Sequence, residues 1–416
     1  MRPAQVSATG PESLTEFGLR RVLVVLCVTQ ITSWGVLYYA FPVLAPSIAA
    51  ETGWSISAIT AGFSTGLVVA ALAGIPAGRW LDRLGPRPVM TTGSVLGAPA
   101  VIGIASAPTL PWYFGAWILA GVAMAGVLYP PAFAALTRWW GPRRVTALTG
   151  LTLLAGLAST IFAPITAALS EKLDWRQTYL VLAVVLAVVT IPAHFFGLRG
   201  TWPAPEPAVE AHRDPGAIAR SRPFVLLVIA VALGTFSAFA VVVNQVPLLI
   251  ERGLSPTTAA WALGLGGLGQ VLGRLGYGRL SRATSVRARG VLILGLGAVA
   301  TALLAILPGP AVLLVAVAML AGAARGVFTL LQATAISDRW GSTHYGRLGG
   351  LLTAPAMLAT ALAPWAGAAL AEALGGYPAV FAVLAVLAAA AAALASGTVP
   401  SKRRTAPEGD GSRWAA

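Results

Sequence analysis

The chain is short of almost everything that builds a soluble enzyme. Only 10% of its 416 residues are charged, and acidic residues number just 14. Soluble domains carry roughly 25% charged residues because their surface faces water, so a water-soluble globule is excluded. One cysteine, Cys27, rules out a disulfide scaffold and a cysteine metal site. Three scattered histidines, His194, His212 and His344, leave no cluster for histidine ligation, and neither metal nor cofactor is expected. No phosphate-cradling P-loop is present, which argues against an ATP-driven pump. No group of His, Asp, Glu and Cys gathers at one depth, so an integral membrane enzyme is not expected. The tails are too short to hold the signalling domain of a receptor.

What remains is apolar and basic. Hydrophobic residues make up 57% of the chain and the mean hydropathy is +0.79. A bilayer span takes about 20 apolar residues, and runs bounded by charge or Gly/Pro predict twelve of them. They lie near 22–46, 55–80, 88–107, 110–136, 146–170, 176–198, 224–250, 257–280, 290–307, 311–337, 347–371 and 378–397. The first reads as an uncleaved helix, not a signal peptide. An all-α integral membrane protein follows, with a tail over 1–18, a first bundle over 19–198, a linker over 199–222, a second bundle over 223–397 and a tail over 398–416. Pro203, Pro205, Pro207 and Pro215 mark the linker.

The net charge of +14 is a topology signal. With a cytoplasmic N-terminus, Lys172, Arg176 and Arg252 fall outside, Arg274 and Arg325 fall within spans, and every other basic residue falls inside. Both termini are therefore expected in the cytoplasm. The basic residues punctuate apolar blocks and form no soluble patch, so nucleic acid is not an expected partner. Arginine outnumbers lysine 26 to 2, as GC-rich bacterial coding would give, and a bacterial inner membrane is the expected location.

The second half repeats the first at an offset of 200 residues. Glu51, Gly53 and Ser55 match Glu251, Gly253 and Ser255; Gly78-Arg79 matches Gly278-Arg279; Trp140-Gly141 matches Trp340-Gly341. Gly126, Gly150 and Ala163-Pro164 meet Gly326, Gly350 and Ala363-Pro364. Two parallel six-helix repeats are the construction of alternating-access transporters, with substrate held between them near mid-depth.

The stretch Gly78-Arg79-Trp80-Leu81-Asp82-Arg83-Leu84-Gly85-Pro86-Arg87 resembles the loop between helices 2 and 3 of the major facilitator superfamily, G-x-x-x-D-R-x-G-x-R/K. The resemblance covers roughly residues 20–397. It implies that Asp82, Arg83 and Arg87 latch the cytoplasmic side and release it as the halves rock, with Gly78 for close helix contact and Gly85 for a short turn. The plainer account of Arg83 and Arg87 is that they only set topology. The second-half copy, Gly278-Arg279-Leu280-Ser281-Arg282, lacks the acid, and a weaker latch is expected there. More narrowly, Tyr39-Ala40-Phe41-Pro42, Gly53-Trp54-Ser55 and Tyr129-Pro130-Pro131-Ala132 resemble the monocarboxylate and oxalate:formate carriers. In that branch an arginine of the eighth helix serves carboxylate substrates, and Arg274 is its counterpart. The chain departs from the proton-coupled members at Gln270, where they carry aspartate, and at Val43, where they carry lysine.

Burying arginine in a span costs about 2.5–3.5 kcal/mol on insertion scales. Arg325 sits near mid-span, with Phe328, Thr329 and Gln332 on the same helical face. Arg274 lies about 10 Å from the inner end of its helix by the rise per residue, with Gln270 one turn above. Either arginine is a candidate to receive an anion, since guanidinium matches carboxylate bidentately. The alternatives are snorkelling or pairing with helix-end carbonyls for Arg274, and a tie to backbone carbonyls for Arg325. All carboxylates fall in loops or tails, which disfavours cationic substrates and a buried-acid antiporter. A co-transported proton would travel with an acid substrate or use Glu51 or Glu251. Trp34, Tyr38, Tyr39, Tyr129, Phe133, Asn244 and Gln245 are further cavity candidates. Tyr38 and Tyr39 are not expected to share a face, being about 100° apart on an α-helix. The glycines at 264, 266, 267, 269, 273 and 276 predict close helix packing over a hinge, and Pro42, Pro164 and Pro364 predict kinks. The expectation is a monomeric, secondary or facilitative transporter of a small organic anion, a monocarboxylate; the alternative is an exporter of amphipathic compounds.

Overall fold

A computed structural model describes residues 14–202, 215–340 and 345–400. Half of the expected linker, and the outer parts of both tails, lie outside the described residues. Twelve long helices and no strand occur among the described residues. The first, α1, is a continuous rod of Glu16–Trp34, a π-helical turn Gly35–Tyr39 and Ala40–Thr52. Then come α2 (Ile56–Leu84), α3 (Pro86–Ala105), α4 (Leu110–Val127 and Tyr129–Trp140), α5 (Arg144–Ala155 and Ala158–Ser170) and α6 (Trp175–Gly197). The second series is α7 (Arg222–Glu251), α8 (Pro256–Ala283), α9 (Val286–Ile306), α10 (Ala311–Thr334), α11 (Tyr345–Leu374) and α12 (Tyr377–Ala395). Eleven of the twelve are long and apolar enough to cross a membrane. The exception, α8, has the length, but its glycines dilute its hydropathy.

Up-and-down connections put the start of α1 and the end of α12 on one face, here the terminal face; the α1–α2 and α11–α12 turns lie on the opposite, far face. The helices pack mainly within α1–α6 and within α7–α12, and the halves meet where α2 lies on α11, α5 on α8 and α1 on α7. The first half is filled by aromatics: Phe41 stacks on Phe63 at 4.3 Å between centroids, and Trp117 meets both edge-on. The second half gains density from small residues. A Cβ at Gly322 would lie 1.9 Å from the Gly266 carbonyl oxygen, and one at Gly269 would lie 2.2 Å from that of Met319. Gly264 and Gly267 serve the other side of α8, against Pro164 and Ser159 of α5. Five of the six glycines therefore do pack, on two faces, while a Cβ at Gly276 would meet nothing within 4 Å.

Three breaks have local causes. Pro42 has no N–H to donate one turn back, and Gly35 lets the Phe162 ring abut α1, where a Cβ would be 2.2 Å from it. The backbone answers with an i→i+5 bond from Ala40 to Gly35. In α4, Pro130 and Pro131 remove two donors and Leu128 is extended. The Val127 carbonyl freed there accepts from Gln30 Nε2 at 2.5 Å. In α5 the helix slips at Gly156-Leu157, where Leu157 N–H reaches back only three residues, to Leu154 O at 3.0 Å.

Candidate functional site

The π turn changes which side chains of α1 share a face. Under i→i+5 bonding, residues i+4 and i+5 both come round near residue i, so Tyr38 and Tyr39 both meet Trp34, at 5.3 and 6.4 Å between centroids. This corrects the expectation that the two tyrosines diverge. Trp34 also meets Tyr129 of α4 at 5.1 Å, and Tyr129 stacks on Phe133 at 4.9 Å. The first half thus presents an aromatic wall. Two of its polar atoms, Trp34 Nε1 and Tyr38 Oη, are buried without a hydrogen-bond partner.

Facing this wall is the arginine of α10. Arg325 donates from Nε to Gln270 Oε1 of α8 at 2.6 Å. The bond is short because Gly326 lets the helices nearly touch at the Gln270 carbonyl. Nε is the only guanidinium nitrogen of Arg325 with a hydrogen bond among the described residues. The half-buried Arg325 lies within electrostatic range of Tyr38, Tyr129 and Arg274. Every described carboxylate sits in a loop or a terminal helical turn, so none neutralises it at mid-depth.

Arg274 is placed differently. It is 8% exposed, so it does not snorkel to water, and its Nη1 donates to the Thr152 carbonyl of α5 across the two halves. Its side chain also contacts the Tyr129 hydroxyl. It therefore ties a helix-end carbonyl at the α5 break, as its structural alternative anticipated, while Arg325 keeps an open fork.

Three other candidates fall outside the cluster. Phe328 shares a face with Arg325 but turns into the second-half core, against Gly234 of α7. Gln332 Nε2 donates to Thr235 Oγ1 at 2.7 Å, tying α10 to α7. Asn244 Nδ2 donates to Ala240 O at 2.9 Å and Pro364 O at 3.5 Å, wedged over Gly367 of α11. All three knit the second half together. Gln245 is buried with Nε2 unpartnered, and together with Arg325 and Phe328 it lines a cavity of that half.

At the terminal face, Asp82 pairs with Arg138 of α4, whose guanidinium also lies 4.7 Å over the Trp202 ring. Arg83 is exposed and takes no part. Arg87 donates to Phe195 O at 2.8 Å, holding α3 to α6. These contacts all lie inside the first half. Gly85 has φ +80 and makes the expected turn under Trp202, but a Cβ at Gly78 would meet nothing within 4 Å, so no close contact needs that glycine. The second half is not the poorer one: Arg289 pairs there with Asp338, and Arg289 is the more buried partner. Sequence reading missed Arg138, Trp202 and Asp338. The repeat carried the signal, since Arg138 and Asp338 are 200 residues apart.

Among the described residues, hydrogen bonds between the halves lie at the far face or mid-depth. They are Ser57–Glu372, Thr257–Glu171, Thr160–Gly264, Ser64–Trp365 and Arg274–Thr152. The two halves are thus closed over the cluster on the far side.

A family model described as Major Facilitator Superfamily matches residues 26–311 and 246–414. The chain belongs to the major facilitator superfamily. That superfamily is one of membrane transporters, not of enzymes. Monocarboxylate transporter 13 of Bos taurus is 30% identical over 259 residues, 60% of this chain and 57% of that protein. Multidrug resistance protein MdtL of Shigella flexneri is 29% identical over 229 residues, 53% of this chain and 57% of that protein. The chain spans about half the length of the curated relatives it matches. The nucleoside transporter NupG (D323A mutant) shares the fold, with a TM-score of 0.73, 15% identity, and coverage of 91% of this chain and 99% of that one.

Proposed function

We propose that this major facilitator transporter moves a small organic anion, a monocarboxylate, by alternating access, and that Arg325 receives the carboxylate. One observation carries the reading: a mid-depth guanidinium held by a neutral glutamine, with two nitrogens unengaged among the described residues and no carboxylate beside it. Uncompensated cation at that depth is costly, and an anionic substrate supplies the missing charge. The aromatic wall then contacts the body of the acid, while Arg274 orders Tyr129 and the α5 break. The similarity to monocarboxylate transporter 13 supports the same substrate class.

On this reading the terminal face is cytoplasmic, since most arginines gather there and Arg176 and Arg252 lie on the far face. The observed closure is then on the outer side of a cell membrane. One chain supplies both halves of the site, so a monomer suffices. Glu51 and Glu251 are engaged within their own halves, by Arg176 Nε at 3.1 Å and by Tyr377 N–H at 2.9 Å. A coupled proton therefore crosses with the acid itself.

Uptake into proteoliposomes with labelled monocarboxylates, neutral sugars and lipophilic cations tests the reading, run beside Arg325→Ala and Arg274→Ala. Saturable monocarboxylate uptake that Arg325→Ala abolishes is the expected result. Anion uptake that survives Arg325→Ala at unchanged affinity overturns it. Movement of lipophilic compounds alone favours the exporter reading to which MdtL points.

A further inference from the structure

At the far face, the 200-residue repeat relates two contacts between the halves. Ser57, in the first turn of α2, donates its N–H (2.8 Å) and hydroxyl (2.7 Å) to the carboxylate of Glu372, in the last turn of α11. Thr257, in the first turn of α8, donates its hydroxyl to Glu171, which closes α5. Ser57 and Thr257 are 200 residues apart, and Glu171 and Glu372 are 201 apart. Each half therefore offers the start of its second helix to a carboxylate that ends the fifth helix of the other half. A helix start carries unpaired N–H groups and partial positive charge, and it favours an anion.

Exposure separates these contacts from a permanent tie. Glu171 and Glu372 are both exposed, so parting the halves returns each carboxylate to water and strands no buried charge. The inter-half bonds beneath them, Thr160 to the Gly264 carbonyl at 2.8 Å and Trp365 N–H to Ser64 Oγ at 3.1 Å, join neutral groups. The remaining hydrogen-bonded carboxylates on this face, Glu51, Asp174 and Glu251, each bind within one half. Among the described residues, only Glu171 and Glu372 place a charge across the closing rim.

We propose that Glu171 and Glu372 are paired gating residues that hold the far side closed and release it as the halves rock. Their role is positional, since neither touches the arginine cluster. The inference rests on family membership and the rim geometry, so it stands whatever the substrate proves to be.

The test uses the full chain in nanodiscs, in a Cys27→Ser background. Spin labels go at Ser106→Cys and Ile306→Cys, exposed far-face ends of α3 and α9 in opposite halves. Glu171→Gln with Glu372→Gln is expected to move the ratio of open to closed distances about tenfold toward open, or ~1.4 kcal/mol, with unchanged helicity and melting. Ser57→Ala with Thr257→Val is expected to shift it the same way by less, because the Ser57 N–H remains. This second pair also keeps the test alive if the glutamine variants fold poorly. Glu51→Gln with Glu251→Gln is expected to leave the distribution as in the parent. A parental distribution in both the Glu171/Glu372 and the Ser57/Thr257 pairs overturns the proposal, as does an equal shift in the Glu51/Glu251 pair.

Discussion

Gly326→Ala isolates the contact that sets the candidate site. A Cβ at Gly326 would lie 2.1 Å from the Gln270 carbonyl oxygen and 2.9 Å from its carbon, where ordinary contact begins at 3.4 Å. Both atoms are backbone, so no rotamer can yield; α8 and α10 must part by about 1.3 Å, the difference of those two distances. The Arg325–Gln270 bond of 2.6 Å spans the same gap and would stretch to about 3.9 Å, beyond hydrogen-bonding range. Overpacking costs about 1–3 kcal/mol, and alanine's helix propensity returns up to about 1 kcal/mol. With the full propensity gain the net loss is about 0–2 kcal/mol. Gly276→Ala is the control: it sits on α8, the helix that Gly326 packs against, and an added Cβ meets nothing within 4 Å. Thermal loss of monodispersity in detergent, read beside anion uptake, checks the pair. Gly326→Ala should melt lower and show a raised KM, while Gly276→Ala should match or exceed the parent. Equal melting of the two variants would refute the reasoning.

Gln270→Leu should raise the KM for anion uptake, because it removes the group that orients Arg325; Gln270→Glu should abolish uptake by supplying an internal carboxylate that competes with substrate. Gly35→Ala drives a Cβ to 2.2 Å from the Phe162 ring and should destabilise by about 1–3 kcal/mol. Because that neighbour is a side chain, adding Phe162→Ala should recover part of the loss, and a double-mutant cycle measures how much. Asp338→Asn should cost more than Asp82→Asn. Its partner Arg289 has a side chain only 7% exposed, whereas the Asp82 carboxylate is 58% exposed, and surface pairs contribute about 0–1 kcal/mol. Parallel melting curves read that ranking.

The spans were legible because a bilayer demands unbroken apolar runs, and α2 to α12 start and stop within a few residues of the hydropathy boundaries. The turn at Gly85 was legible too, since its positive φ is one that glycine alone adopts freely. The α1 interior was not. Pro42 is visible, but the Phe162 ring that shapes the turn arrives from α5, more than a hundred residues along. Arg274 shows a second limit: its partner is the Thr152 carbonyl, and every residue has a carbonyl, so no letter marks it. The glycines of α8 advertised a thin helix without saying that those at 266, 269 and 273 face α10 while those at 264 and 267 face the other half.

The terminal-face pairs show how a repeat misleads when it is searched for identical letters. Arg282 stands where Asp82 has its repeat mate, and the second half therefore reads as having lost its acid. The acid is present at Asp338, the repeat mate of Arg138, and Arg289 completes the pair. What the corner between the second and third helices of each half requires is an opposite charge reaching it from the end of the fourth, and the sign on either side is free. A swap tests this directly. Asp82→Arg alone sets two guanidiniums together beside Trp202, and it should lower melting and transport. Adding Arg138→Asp restores the attraction in the polarity that the second half already uses, and it should recover most of the loss, less the contribution of the Arg138–Trp202 contact at 4.7 Å. That half-buried contact is worth about 0.5–2 kcal/mol, so recovery should be partial by that amount. A double variant no better than Asp82→Arg alone would mean that the sign matters, and that the two corners do different work in the transport cycle.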